Sequence, residues 1–117
     1  MSRTYTGTMP TQKYNKLVRD KIPERITENG GRPVTRILDD QEFLDELKKK
    51  FQEELNEYFA AETPEARLEE MADIFEVITA LNEAEGRSLD VVIQAQAKKR
   101  VERGAFKERL FLESVEE

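Results

Sequence analysis

Residues 53–73 read EELNEYFAAETPEARLEEMAD and contain the end of one predicted helix, a short connection and the start of a second helix. Thr63-Pro64 marks the restart, because a threonine hydroxyl can cap a helix and proline is tolerated in its first turn. A connection this short makes the two helices antiparallel neighbours, so their apolar stripes should face each other. Acidic side chains nevertheless interrupt both stripes, and they raise the question of what the hairpin is for.

The first helix of this hairpin is predicted over residues 40–61, with Asp39 as its N-terminal cap. Its apolar residues recur at helical spacing, and they are Phe43, Leu44, Leu47, Phe51, Leu55 and Tyr58. On a wheel of about 100° per residue, Glu54 falls inside this apolar arc. Glu57 falls on its flank and Glu53 lies further out.

The second helix is predicted from Pro64 to about Gly86, with Leu68, Met71, Ile74, Phe75, Ile78 and Leu81 as its apolar residues. We expect a stripe centred on Met71, with Glu70 inside the arc and Asp73 on its flank. Each acidic pair alone also fits a solvated helix edge. Together, the four carboxylates of the two helices would converge, repel one another and raise their own pKa values. A divalent cation would relieve that repulsion, so the pattern indicates a metal site.

Proline, glycine and capping residues also indicate where the other helices of the chain begin and end. Pro23 predicts a short helix that ends at the Gly30-Gly31 pair, and RPVTRIL after it is expected to be extended. A further helix is predicted over 89–103, capped by Ser88 and ended by Gly104. FKERLFLES is either a short strand or an extended tail. The sequence therefore predicts an all-α fold, with a four-helix-bundle core that oligomerisation completes.

Length and composition bound what this chain can be. The 117 residues predict a flexible leader over 1–12 and one helical domain over 13–117. The sequence has no histidine and no cysteine, which excludes a Ser-His-Asp triad, a cysteine nucleophile and a sulfur- or imidazole-bound zinc. Any metal must be held by oxygen, which points to Mg²⁺, Mn²⁺ or Ca²⁺.

The charge pattern bears on partners and location. Residues 39–90 carry 17 acids and 5 Lys/Arg, whereas residues 1–38 carry 3 acids and 8 Lys/Arg. An acidic middle with basic flanks suits a site where cations meet a phosphorylated ligand, although a solvated helical surface gives the same balance. Because the chain is acidic overall, we expect no nucleic-acid partner. The lack of a long apolar run or a signal peptide predicts a cytoplasmic protein with no membrane partner.

Three blocks of the sequence together resemble a known family. EELNE at 53–57 followed by EMAD at 70–73 is similar to the EExxE…ExxD signature of the MazG-like all-α nucleoside triphosphate pyrophosphohydrolases. YNKLVRDKIPE near the start and KKRVERGAF near the end resemble its small, single-domain house-cleaning branch. The similarity covers about residues 13–112. Ala105 departs from the branch, which usually has a second glycine there.

The resemblance implies roles for the five acids. Glu54, Glu57, Glu70 and Asp73 would hold Mg²⁺, with Mn²⁺ as a substitute, and Glu53 would orient or deprotonate the attacking water. The reaction it implies splits a nucleoside triphosphate at its α-phosphate into monophosphate and pyrophosphate. The substrate would be a non-standard nucleotide. The apolar arcs of the two helices are wider than a two-helix contact can cover, which predicts a homodimer or a dimer of dimers.

The triphosphate also needs cations, and the two basic blocks supply them. The candidates are Lys16, Arg19, Lys21, Lys98, Lys99 and Arg103. Each of these side chains can alternatively be an ordinary solvent-facing charge, and Asn15 suits a base contact or a turn equally well.

Two other functions remain open at this stage. Phosphoribosyl-ATP pyrophosphohydrolase has the same fold and metal ligands as the family that this sequence resembles. A non-catalytic helical dimerisation or adaptor module would carry the same acids as a solvated surface and would bind no metal.

Overall fold

The computed structural model of the protein describes residues 12–116 and confirms the all-α class. Its helices are α1 (Ile22–Glu28), α2 (Asp40–Ala60), α3 (Pro64–Ala84) and α4 (Leu89–Arg103). Within the described range there is no strand: neither RPVTRIL nor FKERLFLES forms a helix or a strand. The predicted leader lies, except for Gln12, outside the described residues.

The chain divides after Leu81 into two compact units. The first contains α1, α2 and most of α3, and the second contains the end of α3, α4 and the segment that follows. The acids of the hairpin and the first basic block, which includes Lys16 and Arg19, belong to the first unit.

The start of each hairpin helix is fixed by the predicted cap. Asp39 Oδ1 accepts the backbone N–H of Glu42 at 2.9 Å, and Glu42 Oε1 accepts that of Asp39 at 3.4 Å, which completes a capping box. Arg36 donates to both carboxylate oxygens of Glu42, at 3.1 and 2.8 Å, and this bonding lowers the pKa of Glu42 to about 2. Thr63 Oγ1 accepts the backbone N–H of Ala66 at 3.1 Å and caps α3.

Three helices end at a glycine with positive φ: Gly104, with φ 86°, ends α4 as predicted, and the other two glycines share a further feature. Gly30 after α1 has φ 88° and Gly86 after α3 has φ 75°. In both places the next residue donates its N–H back to the last helical turn, as in a Schellman motif. Ser88 corrects one expectation: its backbone is that of an N-cap, but its hydroxyl makes no capping hydrogen bond to α4. The position is exposed, so water can satisfy the amides at the start of α4.

The hairpin buries a different face of α3 from the one we expected. Leu47 of α2 and Ile74 and Val77 of α3 are the buried apolar side chains. Ile74 and Val77 lie on the Glu70 side of the helical wheel, so the buried face is centred near Glu70. The expectation of a stripe centred on Met71 is therefore wrong. Apolar residues cover more than one side of α3, and packing against α2 can use only one of them.

The other apolar side of α3 remains exposed. Leu68, Met71 and Phe75 are 71%, 40% and 50% exposed, and they line a shallow groove of about 400 Å³. Its lining residues are Leu68, Met71, Ala72, Phe75, Glu76 and Thr79. Since few apolar side chains are buried in the described chain, we propose that this groove is where copies of the chain meet, as the predicted homodimer or dimer of dimers requires.

This groove generates a prediction about assembly. We expect light scattering to show a dimer or tetramer at micromolar concentration, and Phe75→Glu to shift the population to monomer because it places a charge in the apolar contact. Phe59→Glu is the matched control, because Phe59 is an exposed aromatic residue of α2 outside the groove. A monomeric wild-type chain, or equal dissociation by both variants, would contradict the proposal.

Candidate metal centre

The hairpin brings acidic side chains of α2 and α3 together. Glu54 and Glu70 lie at matching distances on either side of the connection at residues 61–63, so antiparallel packing places them opposite each other. Glu57 follows Glu54 by about one helical turn and lies on the same side. One carboxylate oxygen from each of Glu54, Glu57 and Glu70 falls within 4.8 Å of the others. This group is called the acid triplet below.

Two members of the acid triplet have buried oxygens with no hydrogen-bond partner among the described residues. Glu54 is only 5% exposed, and its Oε2 is buried with no hydrogen-bond partner. Glu70 Oε2 is likewise buried and unpartnered. Buried polar atoms are nearly always satisfied in folded proteins, and an unsatisfied carboxylate oxygen is especially costly. Clustered carboxylate oxygens are the ligands that hard divalent cations prefer, so the triplet fits such an ion.

The electrostatics of the triplet point the same way. Burial, reinforced by the negative charges of Glu57 and Asp73, raises the pKa of Glu54 to about 7. Burial and the neighbouring Glu57 also raise the pKa of Glu70. Both carboxyl groups therefore hold protons more tightly than a solvent-exposed glutamate does. A bound cation would replace the proton as the countercharge.

Lys50 contributes to the site and was missed by the sequence analysis. Its Nζ lies 3.7 Å from a carboxylate oxygen of Glu53 and 3.7 Å from one of Glu54. The Lys50 side chain is only 20% exposed, so it supplies a largely buried positive charge beside these two acids. The available signal was its spacing, since a lysine three and four residues before two acids faces both of them on a helix.

Asp73, the fourth predicted ligand, lies outside the acid triplet. Its Oδ1 accepts a hydrogen bond of 2.6 Å from Arg19 Nη2. Glu53, the predicted water-activating residue, is half-buried and pairs with Lys16 at 3.9 Å as well as with Lys50. Two cations of the first basic block therefore lie against acids of the hairpin.

The segment that carries these cations borders a small cleft beside α2. Asn15, Lys16 and Leu17 line one side of a cavity of about 190 Å³, and Glu46, Lys49, Lys50 and Glu53 line the other. Asn15 has φ 47°, a left-handed conformation that asparagine tolerates better than most residues, which supports its role in a turn. Lys21 is exposed at the turn before α1.

The second set of predicted cations belongs to the second unit. Lys98, Lys99 and Arg103 lie in the C-terminal half of α4, and all three side chains are exposed. Their predicted role in phosphate binding stays a prediction.

Comparison with known proteins gives a partial relative. The chain is 48% identical over 54 residues to an uncharacterised protein of Mycolicibacterium smegmatis. The match covers 46% of this chain and 55% of the relative, so the chain spans about half of that protein's length. No family model matches the chain, and no solved structure matches it. Among the described residues, no helix is long and apolar enough to span a membrane.

The acid triplet predicts that divalent metal stabilises the fold. Millimolar Mg²⁺ or Mn²⁺ should raise the Tm and EDTA should reverse the rise, because an ion bound only by the folded state adds about 2.7 kcal/mol at 100 times its Kd. Glu70→Gln should abolish this shift while the helical circular dichroism stays near wild type. Glu69→Gln, an exposed neighbour outside the triplet, should keep the shift. Identical melting curves with and without metal would contradict the site.

The raised pKa of Glu54 predicts how metal-free stability depends on pH. Since folding raises this pKa from 4.5 to about 7, the folded state binds more protons than the unfolded state between these values. The Tm in EDTA should therefore fall as the pH rises from about 4.5 to 7. Glu54→Gln should reduce this slope, because it removes one of the two carboxyl groups whose pKa is raised, whereas Glu69→Gln should leave the slope unchanged. A wild-type Tm that rises across this range would refute the assignment.

Proposed function

We propose that this protein is a Mg²⁺-dependent nucleoside triphosphate pyrophosphohydrolase that cleaves a non-standard NTP or dNTP into monophosphate and pyrophosphate. The observation that carries the proposal is the acid triplet, in which buried oxygens of Glu54 and Glu70 have no partner. The similarity of EELNE…EMAD to the MazG-like signature supports the reaction class. The short distance between these acids and the cations of the first basic block supports a polyphosphate ligand.

The residues that would hold the metal are Glu54, Glu57 and Glu70, joined by Asp73. A divalent cation bound there supplies charge neutralisation for the triphosphate and lowers the pKa of water. Because the sequence has no histidine, no imidazole can take part in the reaction. The carboxylates of the hairpin are the proposed acid–base groups.

Glu53 is the proposed base. It lies next to Glu54 in the sequence but outside the acid triplet, so one carboxylate can serve the water while its neighbour serves the metal. The water oxygen attacks the α-phosphorus, the bond from that phosphorus to the bridging oxygen breaks, and pyrophosphate leaves. The water proton passes to Glu53. Lys16 and Lys50, which pair with Glu53 in this structure, hold its carboxylate in place.

Two rival functions give different results in one screen. Pyrophosphate release should be measured over standard nucleotides, damaged nucleotides and phosphoribosyl-ATP. Preference for phosphoribosyl-ATP would identify the histidine-biosynthetic activity of the related enzyme instead. No release from any substrate, together with no metal-dependent change in Tm, would indicate the non-catalytic adaptor module.

The division of labour among the acids gives a sharper prediction. Glu57→Gln removes a metal ligand, so metal affinity and turnover should both collapse. Glu53→Gln leaves the acid triplet intact, so Mg²⁺ and nucleotide should still bind while turnover falls by roughly 10²–10⁴-fold, as expected for loss of a general base.

Isothermal titration with a non-hydrolysable triphosphate, run beside pyrophosphate release, measures both quantities. Glu69→Gln again serves as the control for charge removal on the hairpin. Should Glu53→Gln lose nucleotide binding as completely as Glu57→Gln does, Glu53 is a further metal ligand and the base assignment is wrong.

A further inference from the structure

Arg19 bonds to Asp73, which is the one of the four predicted metal ligands that lies outside the acid triplet. Arg19 lies in the segment before α1, and Asp73 lies on α3, 54 positions further along the chain. Their hydrogen bond of 2.6 Å joins side chains that are 54% and 41% exposed. The contact is therefore reachable from solvent and can open without disturbing the buried part of the interface.

Asp73 is nevertheless close to the acid triplet. Its charge contributes to the raised pKa values of both Glu54 and Glu70. The triplet offers three carboxylates, one of which is that of Glu54, whose buried Oε2 has no hydrogen-bond partner among the described residues. A hard divalent cation takes about six oxygen ligands and therefore has room for a fourth carboxylate. Arg19, which is bonded to Asp73 Oδ1, competes with the cation for that carboxylate.

We propose that Arg19 exchanges partners during ligand binding. In the metal-free protein it bonds Asp73, and when a divalent cation takes Asp73 it turns to a phosphate group of the ligand. Cation and polyphosphate then bind cooperatively through one side chain. This inference rests on the proposed function, because that function supplies the polyphosphate.

The chemistry of arginine suits such an exchange. Its guanidinium presents planar donors that match carboxylate and phosphate oxygens equally well, and it stays charged in both positions. Exposed ion pairs of this type contribute little to stability, so breaking the bond between Arg19 and Asp73 costs little. The exchange should therefore change the affinity for each ligand by roughly two- to fivefold. Because coupling between two ligands is reciprocal, the anion must favour the cation by the same factor as the cation favours the anion.

The first arm of the test measures pyrophosphate binding in EDTA by isothermal titration. Asp73→Asn frees Arg19, whereas Glu57→Gln makes the same charge change in the same cluster without freeing it. We expect Asp73→Asn to bind pyrophosphate roughly two- to fivefold more tightly than Glu57→Gln. The double variant Arg19→Gln/Asp73→Asn should lose this advantage. Equal affinities for Asp73→Asn and Glu57→Gln would overturn the proposal.

The second arm measures Mn²⁺ binding without any anion. Arg19→Gln frees Asp73, whereas Lys16→Gln removes a positive charge of the same segment that pairs with Glu53 instead. Arg19→Gln should bind Mn²⁺ roughly two- to fivefold more tightly than Lys16→Gln does. Arg36→Gln, which breaks the ion pair with Glu42 away from the site, should match wild type. Equal Mn²⁺ affinities for Arg19→Gln and Lys16→Gln would overturn the exchange.

Neither arm depends on turnover, so the two ideas can fail separately. If the chain releases no pyrophosphate from any nucleotide but shows both affinity differences, the proposed activity is wrong and the Arg19 exchange is supported. A chain that hydrolyses nucleotides but shows neither difference keeps the activity, and Arg19 is then an ordinary surface cation.

Discussion

The burial of Glu54 between α2 and α3 is the constraint on which the rest of the first unit depends. A carboxylate in a helix interface must find a countercharge or a proton, because leaving it ionised and unpaired costs several kcal/mol. Lys50 supplies part of that charge from the preceding turn of the same helix. The raised pKa of Glu54 shows that this supply is incomplete. The hairpin therefore has its apolar contacts near Leu47 and Val77, and its unsatisfied charge near the connection.

This arrangement bears on whether the acids are only a solvated surface. Replacing a buried charged cluster with apolar residues is often neutral or stabilising. A hairpin that served only to dimerise would gain stability from leucine at the positions of Glu54 and Glu70. Glu54 Oε2 and Glu70 Oε2 are also withdrawn from the water that would satisfy them on a surface. The cost of the triplet is understandable if a cation binds there, and it has no evident purpose in an adaptor module.

The sequence predicted the helices well because their limits depend on local chemistry. Asp39, Thr63 and Gly86 act within one turn of the helix end that each of them fixes, so their signals are readable along the chain. The packing face of α3 could not be predicted in the same way. Periodicity shows that Met71 and Ile74 are both apolar, but it does not show which of them packs inside this chain. The hydrogen bond between Arg19 and Asp73 was harder still to predict, because no local sequence rule relates residues 54 positions apart.

The cations beside the hairpin connect the stability of the metal-free protein to the ligand it is proposed to bind. Lys16, Arg19 and Lys50 each lie against an acid of the hairpin, and only Lys50 pairs with a member of the acid triplet, so together they reduce the repulsion among these acids when no metal is bound. Metal ions would take over that task and leave the same cations with excess positive charge. A polyphosphate carries the complementary charge, and it would arrive together with the metal. The side chains that stabilise the metal-free hairpin would then be the ones that recognise the proposed substrate, and the acidic hairpin and the basic segment before α1 do belong to one unit.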